Sequence, residues 1–163
     1  MGSGLALAGA PGVARADGRP YEGLTIAEFE QIMDPEHYAA LPDSVKEELS
    51  AHYMYESVSG LTRADVGSSV RFTDVSVGYG QVAFTFKYTT TVSCSSLFTR
   101  VTLMNSSQSF QAEFNGSGAA LTGSRTFYSV PSGTYSLVAT AYAPSTPNGY
   151  TSSPVQAIRS VTV

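Results

Sequence analysis

Gln81-Val82-Ala83-Phe84-Thr85-Phe86-Lys87-Tyr88-Thr89-Thr90-Thr91 decides the fold class. In an extended chain successive side chains point to opposite faces. Val82, Phe84, Phe86 and Tyr88 therefore share one side, and Ala83, Thr85, Lys87 and Thr89 share the other. One face suits a core and the other suits water, the pattern of a strand half-buried on a sheet. Upstream, Val70 and Phe72 fall in one phase, and Val75, Val77 and Tyr79 in the other. That slip predicts either a bulge near Asp74 or two separate pairings. Gly78-Tyr79-Gly80 predicts the intervening turn. Downstream, strands are expected at 97–104, 109–114, 121–130, 134–142 and 156–163. Turn residues punctuate them at Asn105-Ser106-Ser107, Asn115-Gly116, Pro131-Ser132-Gly133 and Asn148-Gly149. The expected fold is mainly β: a seven-stranded antiparallel sandwich over residues 65–163, preceded by a short α-helical segment.

The segment 21–64 reads as helix. Thr25 and Glu28 form a capping box, and Leu24 can staple to Phe29. Ile26, Phe29, Ile32 and Met33 line one face. Asp34-Pro35 ends this helix and caps a further short turn. Pro42 opens the next helix, with Val45, Leu49, His52 and Tyr53 as its apolar stripe, running to about residue 58 with Gly60 as terminator. Helices this short cannot bury a core alone. They must pack on the β module, on one another or on a partner, and Phe29, Met33, His52 and Tyr53 are the expected docking residues.

Charge divides the chain at the same place. Residues 1–64 hold ten acids and four bases, a net −6, whereas 65–163 hold three acids and five bases, a net +2. A helical half using Glu on its solvated face accounts for this, and an acidic docking surface is the alternative. Charged residues are only 13% of the whole, which argues against nucleic-acid binding. Cys94 is the sole cysteine, so no intrachain disulfide forms, and a strand position suits a buried small hydrophobe. Residues 1–20 read as a signal-peptide remnant, with Ala14-Arg15-Ala16 as its cleavage pattern, or as a flexible Gly/Ala arm. The run is too short and broken for a membrane span.

A family resemblance rests on 130–143, Val-Pro-Ser-Gly-Thr-Tyr-Ser-Leu-Val-Ala-Thr-Ala-Tyr-Ala, and on the closing Ser152-Ser-Pro-Val-Gln-Ala-Ile-Arg-Ser-Val-Thr-Val163. These resemble the E–F turn with F strand, and the last strand, of bacterial immunoglobulin-like and fibronectin type III-like modules. The resemblance places Tyr135 at the tyrosine-corner position and Leu137 where antibody domains carry a cysteine. It implies a sandwich over about residues 69–163, with 143–154 as the F–G loop and Asn148, Tyr150 and Thr151 as its candidate binding residues. The strand-C tryptophan and the disulfide of antibody domains are absent.

Tests for chemistry give little. His37 and His52 are the only histidines, and both lie outside the β module, whose only acids are Asp65, Asp74 and Glu113. A hydrolase triad needs a histidine beside its nucleophile. Asp74 and Glu113 as a glycosidase pair, and Asp34, Glu36 and His37 as metal ligands, lack the supporting pattern. Asn105-Ser106-Ser107 and Asn115-Gly116-Ser117 match the glycosylation sequon. The expected protein is noncatalytic, with no cofactor and no metal. It is secreted or surface-exposed, structural or binding, and the immunoglobulin-like module belongs to an extracellular assembly. The alternative is a phage virion structural protein, a capsid decoration or tail component. Its partner is expected to be protein, self-association included, and carbohydrate has no supporting pattern. An enzyme would instead need a cleft grouping His37 or His52 with carboxylates of the helical segment.

Overall fold

A computed structural model describes residues 19–56 and 65–163. The readings of the amino-terminal arm, and of a helix reaching Gly60, extend outside the described residues. Among the described residues, three short helices, α1 (Ile26–Met33), α2 (Pro35–Ala39) and α3 (Asp43–Ala51), precede five strands. These are β1 (Ser68–Gly78), β2 (Gln81–Met104), β3 (Ser109–Phe127), β4 (Thr134–Ser145) and β5 (Val155–Thr162). The chain is mainly β, and its strands form one antiparallel sheet.

The strand count corrects the expectation of seven. The segments 81–91 and 97–104 are one strand of 24 residues, and 109–114 and 121–130 largely merge into one of 19. The polar stretch 91–96 bulges but stays in the ladder, shifting register on either side of Cys94. Asn115-Gly116 sits within β3 rather than in a turn, with Gly116 paired to Leu97. Gly118, at φ 103, supplies the local backbone freedom that lets this strand bend without breaking.

That bend shapes the molecule. Phe110 and Phe127 stand near the two ends of β3, yet their ring centroids are 5.9 Å apart. A straight strand of that length would hold them roughly 55 Å apart. The β2–β3 ribbon therefore doubles back into a half-barrel with two arms. The first half of β2 pairs with β1 and the end of β3, and its second half pairs with β4 and the start of β3. Between the arms lies the main core, with Phe84, Phe86, Tyr88, Val101, Leu103 and Leu137 among its buried residues. Gly123 belongs to that packing: a Cβ there would come within 2.5 Å of Phe114 and 2.7 Å of Phe86. Cys94 is buried as a small hydrophobe.

The phase slip near Asp74 proves to be a bulge within a single β1–β2 pairing, with the register shift between Phe72 and Asp74. Thr25 and Glu28 form the capping box, and Asp34 caps α2 through the His37 N–H. Helix α3 stops at Ala51, short of the expected 58, because His52 turns extended. The chain then runs back beside the start of α1, pairing Thr25 with Tyr53. A second core lies outside the sheet, where Ile26, Phe29, Val45 and Leu49 of the helices meet Phe98, Met104, Val138 and Tyr142. The helices thus cover the convex face of the β2–β4 arm. No described helix is long and apolar enough to cross a membrane.

Candidate functional site

The helix–sheet seam buries charge. Arg100 projects from the convex face of β2 and Glu30 from the covered face of α1, and both are fully buried. The guanidinium bonds Glu30 through one terminal nitrogen and Glu113 through the other, and the second also lies 3.9 Å from Asp34. Its plane rests 5.3 Å from the Phe98 ring. Tyr142 Oη donates to Glu30 Oε1 at 3.1 Å. His37 Nε2 lies 3.1 Å from Tyr142 Oη, and the imidazole stacks on Phe98 at 4.2 Å. The hydroxyl has a single proton and gives it to Glu30, so His37 Nε2 is the donor in its contact.

Burial and close charges perturb several groups of the seam. Burial raises the Glu30 carboxyl above its usual value, with Arg100 pulling the other way. Burial alone would lower Arg100, but Glu30 and Glu113 outweigh it and hold the guanidinium charged. Burial drives the Tyr142 phenol far upward, and the Glu30 charge adds to this. Burial pushes Asp34 up too, yet the His37 N–H, Glu113 and Arg100 hold it below the normal carboxylate range. His37 is lowered, first by burial and then by Arg100. Among the described residues, Glu30 Oε2 and Arg100 Nε have no hydrogen-bond partner. A buried pair with unmet atoms contributes little net stability, whereas losing either partner strands a charge in the core. Chemically, the seam is a buried ion-pair and hydrogen-bond network that ties α1 to the β2–β4 arm.

The expected docking residues take different positions. Phe29 is fully buried in the outer core, and Met33 is partly buried against it. His52 lies between Glu56 (2.9 Å) and Glu48 (3.8 Å). Tyr53 is 53% exposed. The structure thus puts both histidines beside carboxylates. Near His52, Ser153 Oγ donates to Asp65, with Glu48 a more distant neighbour at 3.5 Å, rather than to the imidazole, so the nucleophile–histidine contact of a triad is not formed there.

Asn148 and Tyr150 are exposed on the β4–β5 loop, where Tyr150 N bonds Pro147 O at 3.1 Å. Thr151 bridges to Asp65 through its backbone, and its carbonyl accepts from Val66 N. No group of acids, histidines or cysteines able to hold a metal occurs among the described residues. A groove of about 570 Å³, lined by Tyr55, Asn105, Ser106, Thr134 and Ser160 among others, shares no residue with the ionic seam.

Glu30 and Arg100 were the residues missed by sequence reasoning, though each left a trace. Glu30 falls four positions after Ile26, on the apolar face of α1, and Arg100 interrupts the apolar run 97–104. Two opposite charges, each stranded on an apolar face, are candidates for one another. The sequence matches no protein-family model and no curated protein.

Proposed function

We propose that this is a noncatalytic structural or binding protein of an extracellular or surface assembly, built on an immunoglobulin-like module. The carrying observation is the use made of its reactive side chains. Glu30, Arg100, His37 and Tyr142 are joined in a seam that seats the helices on the sheet. The immunoglobulin-like reading is supported by Tyr135, whose hydroxyl donates to Pro131 O at 2.7 Å across the turn before β4. A tyrosine corner makes the same backbone bond.

Fractionation of the native source, followed by intact-mass measurement, tests the proposal. Recovery from the surface or culture fluid as part of a larger assembly is the expected result. Co-purification with phage particles would select the virion alternative. A free cytosolic protein with a turnover activity lost on changing His37 or His52 would refute both.

A further inference from the structure

Two surfaces on opposite sides of the molecule each present a pair of like charges, basic on one and acidic on the other. The convex face of the β1–β2–β3 arm carries small hydroxyl residues, with Thr85 bonded to Ser124 and Ser69 to Thr89 across the strands, and one acid, Asp74, opposite Thr85. In its middle Arg71 stands directly opposite Lys87 in the ladder. Like charges in directly opposed positions destabilise a sheet. Among the described residues, neither forms an ion pair. A local conflict of this kind points to a site shaped by something other than stability.

On the far side of the molecule, beyond the second arm, lies α3. Asp43 and Glu47 are exposed there, one helical turn apart, beside the small residues Ser50 and Ala51. Lys46 between them turns aside, donating to Ala39 O at 3.1 Å and lying over Tyr38. Residues four apart on a helix hold their Cβ atoms about 5–6 Å apart. Directly opposed strand residues hold theirs about 4.5–5.5 Å apart. The two acids therefore match the two bases in number and spacing, and small side chains on both surfaces permit close approach.

We infer that the Arg71–Lys87 face of one copy docks the Asp43–Glu47 face of α3 on a second copy. The inference rests on the assembly reading and names its contact. The two surfaces belong to opposite sides of one chain, so the contact is head-to-tail and repeats into a ring or an open array. Exposed ion pairs are individually weak, so isolated copies associate at low salt and high protein concentration.

Sedimentation velocity on the full chain tests this. The wild type is expected to show larger species that dissolve as salt rises from about 0.01 M to about 1 M, shortening the screening length from about 30 Å to about 3 Å. The variants R71E/K87E and D43K/E47K should each be monomeric, with the wild-type circular dichroism spectrum. Mixing them should restore association, since every contact in the mixture pairs opposite charges. Because the mixture regains what each variant lost, misfolding cannot imitate the result. Association that persists in R71E/K87E would overturn this interface and leave the assembly reading standing. A wild type that stays monomeric at low salt would also overturn the interface, and the native-source fractionation then judges the assembly reading separately.

Discussion

The two arms of the half-barrel present convex faces with opposite fates. On the β2–β4 arm, Phe98, Met104, Val138 and Tyr142 lie beneath the helices, and both faces of the strands are buried. On the β1–β2–β3 arm, Thr85, Lys87 and Ser124 face outward, and only the inner side is buried. The same long strand, β2, runs through both. A strand's identity is therefore set by what lies on each side of it, and one charged pair marks the change. In the covered arm Arg100 is neutralised within a seam, and in the bare arm Arg71 and Lys87 face each other and, among the described residues, neither forms an ion pair.

The comparison breaks most directly at Arg100. Arg100→Ala leaves the buried Glu30 carboxyl without its counter-ion and should lower stability by about 3–5 kcal/mol in urea denaturation. Replacing Arg100 and Glu30 together by Met should recover most of that loss, because both fully buried charges are then gone. If Arg100→Ala proved neutral, the seam would not fasten the helices. Next comes the packing between the arms. Gly123→Ala drives a methyl group into Phe114 and Phe86 and should cost about 1–3 kcal/mol, read as a lower melting temperature. A smaller effect is expected at Tyr135→Phe, which deletes the bond to Pro131 O and should cost about 1 kcal/mol.

The covered arm should also respond to acid. The fold holds His37 below its ordinary value, so the unfolded chain takes up the proton first as pH falls. The contribution of neutral His37 is complete above about pH 6.5 and declines as pH drops through the folded value. His37→Phe keeps a ring against Phe98 and removes the titration. Its melting profile should be flatter than the wild type's below that pH, and identical slopes would exclude His37 from the seam's acid response. The smallest effect belongs to the bare arm. Lys87→Thr relieves the opposition to Arg71 and should shift stability by no more than about 0.5 kcal/mol.

The same contrast explains what could be read in the sequence. Residues 81–89 alternate strictly because one face meets the core and the other meets water, so their strand and its faces were legible. The capping box and the β1–β2 turn were legible for the same reason, each a local rule with a local signature, whereas the slip near Asp74 was legible only as a phase change that a bulge or two pairings could produce. The second half of β2 and β4 lose the alternation, since helices remote in sequence cover the outer side. The merging of segments into five strands depended on whether Gly116 and Gly118 turn the chain or only bend it, and a Gly-rich stretch permits either. The seam itself depended on a contact between positions 30 and 100, which no local pattern encodes.

Hydrogen–deuterium exchange on the intact chain tests the central claim, that the helices and the covered arm form one fastened unit. The amides of α1 and α3 should be protected together with those of β4, and Arg100→Ala should release the helical amides while β1 and the first half of β2 stay protected. Helices exchanging at unfolded rates in the wild type, above a protected sheet, would contradict it.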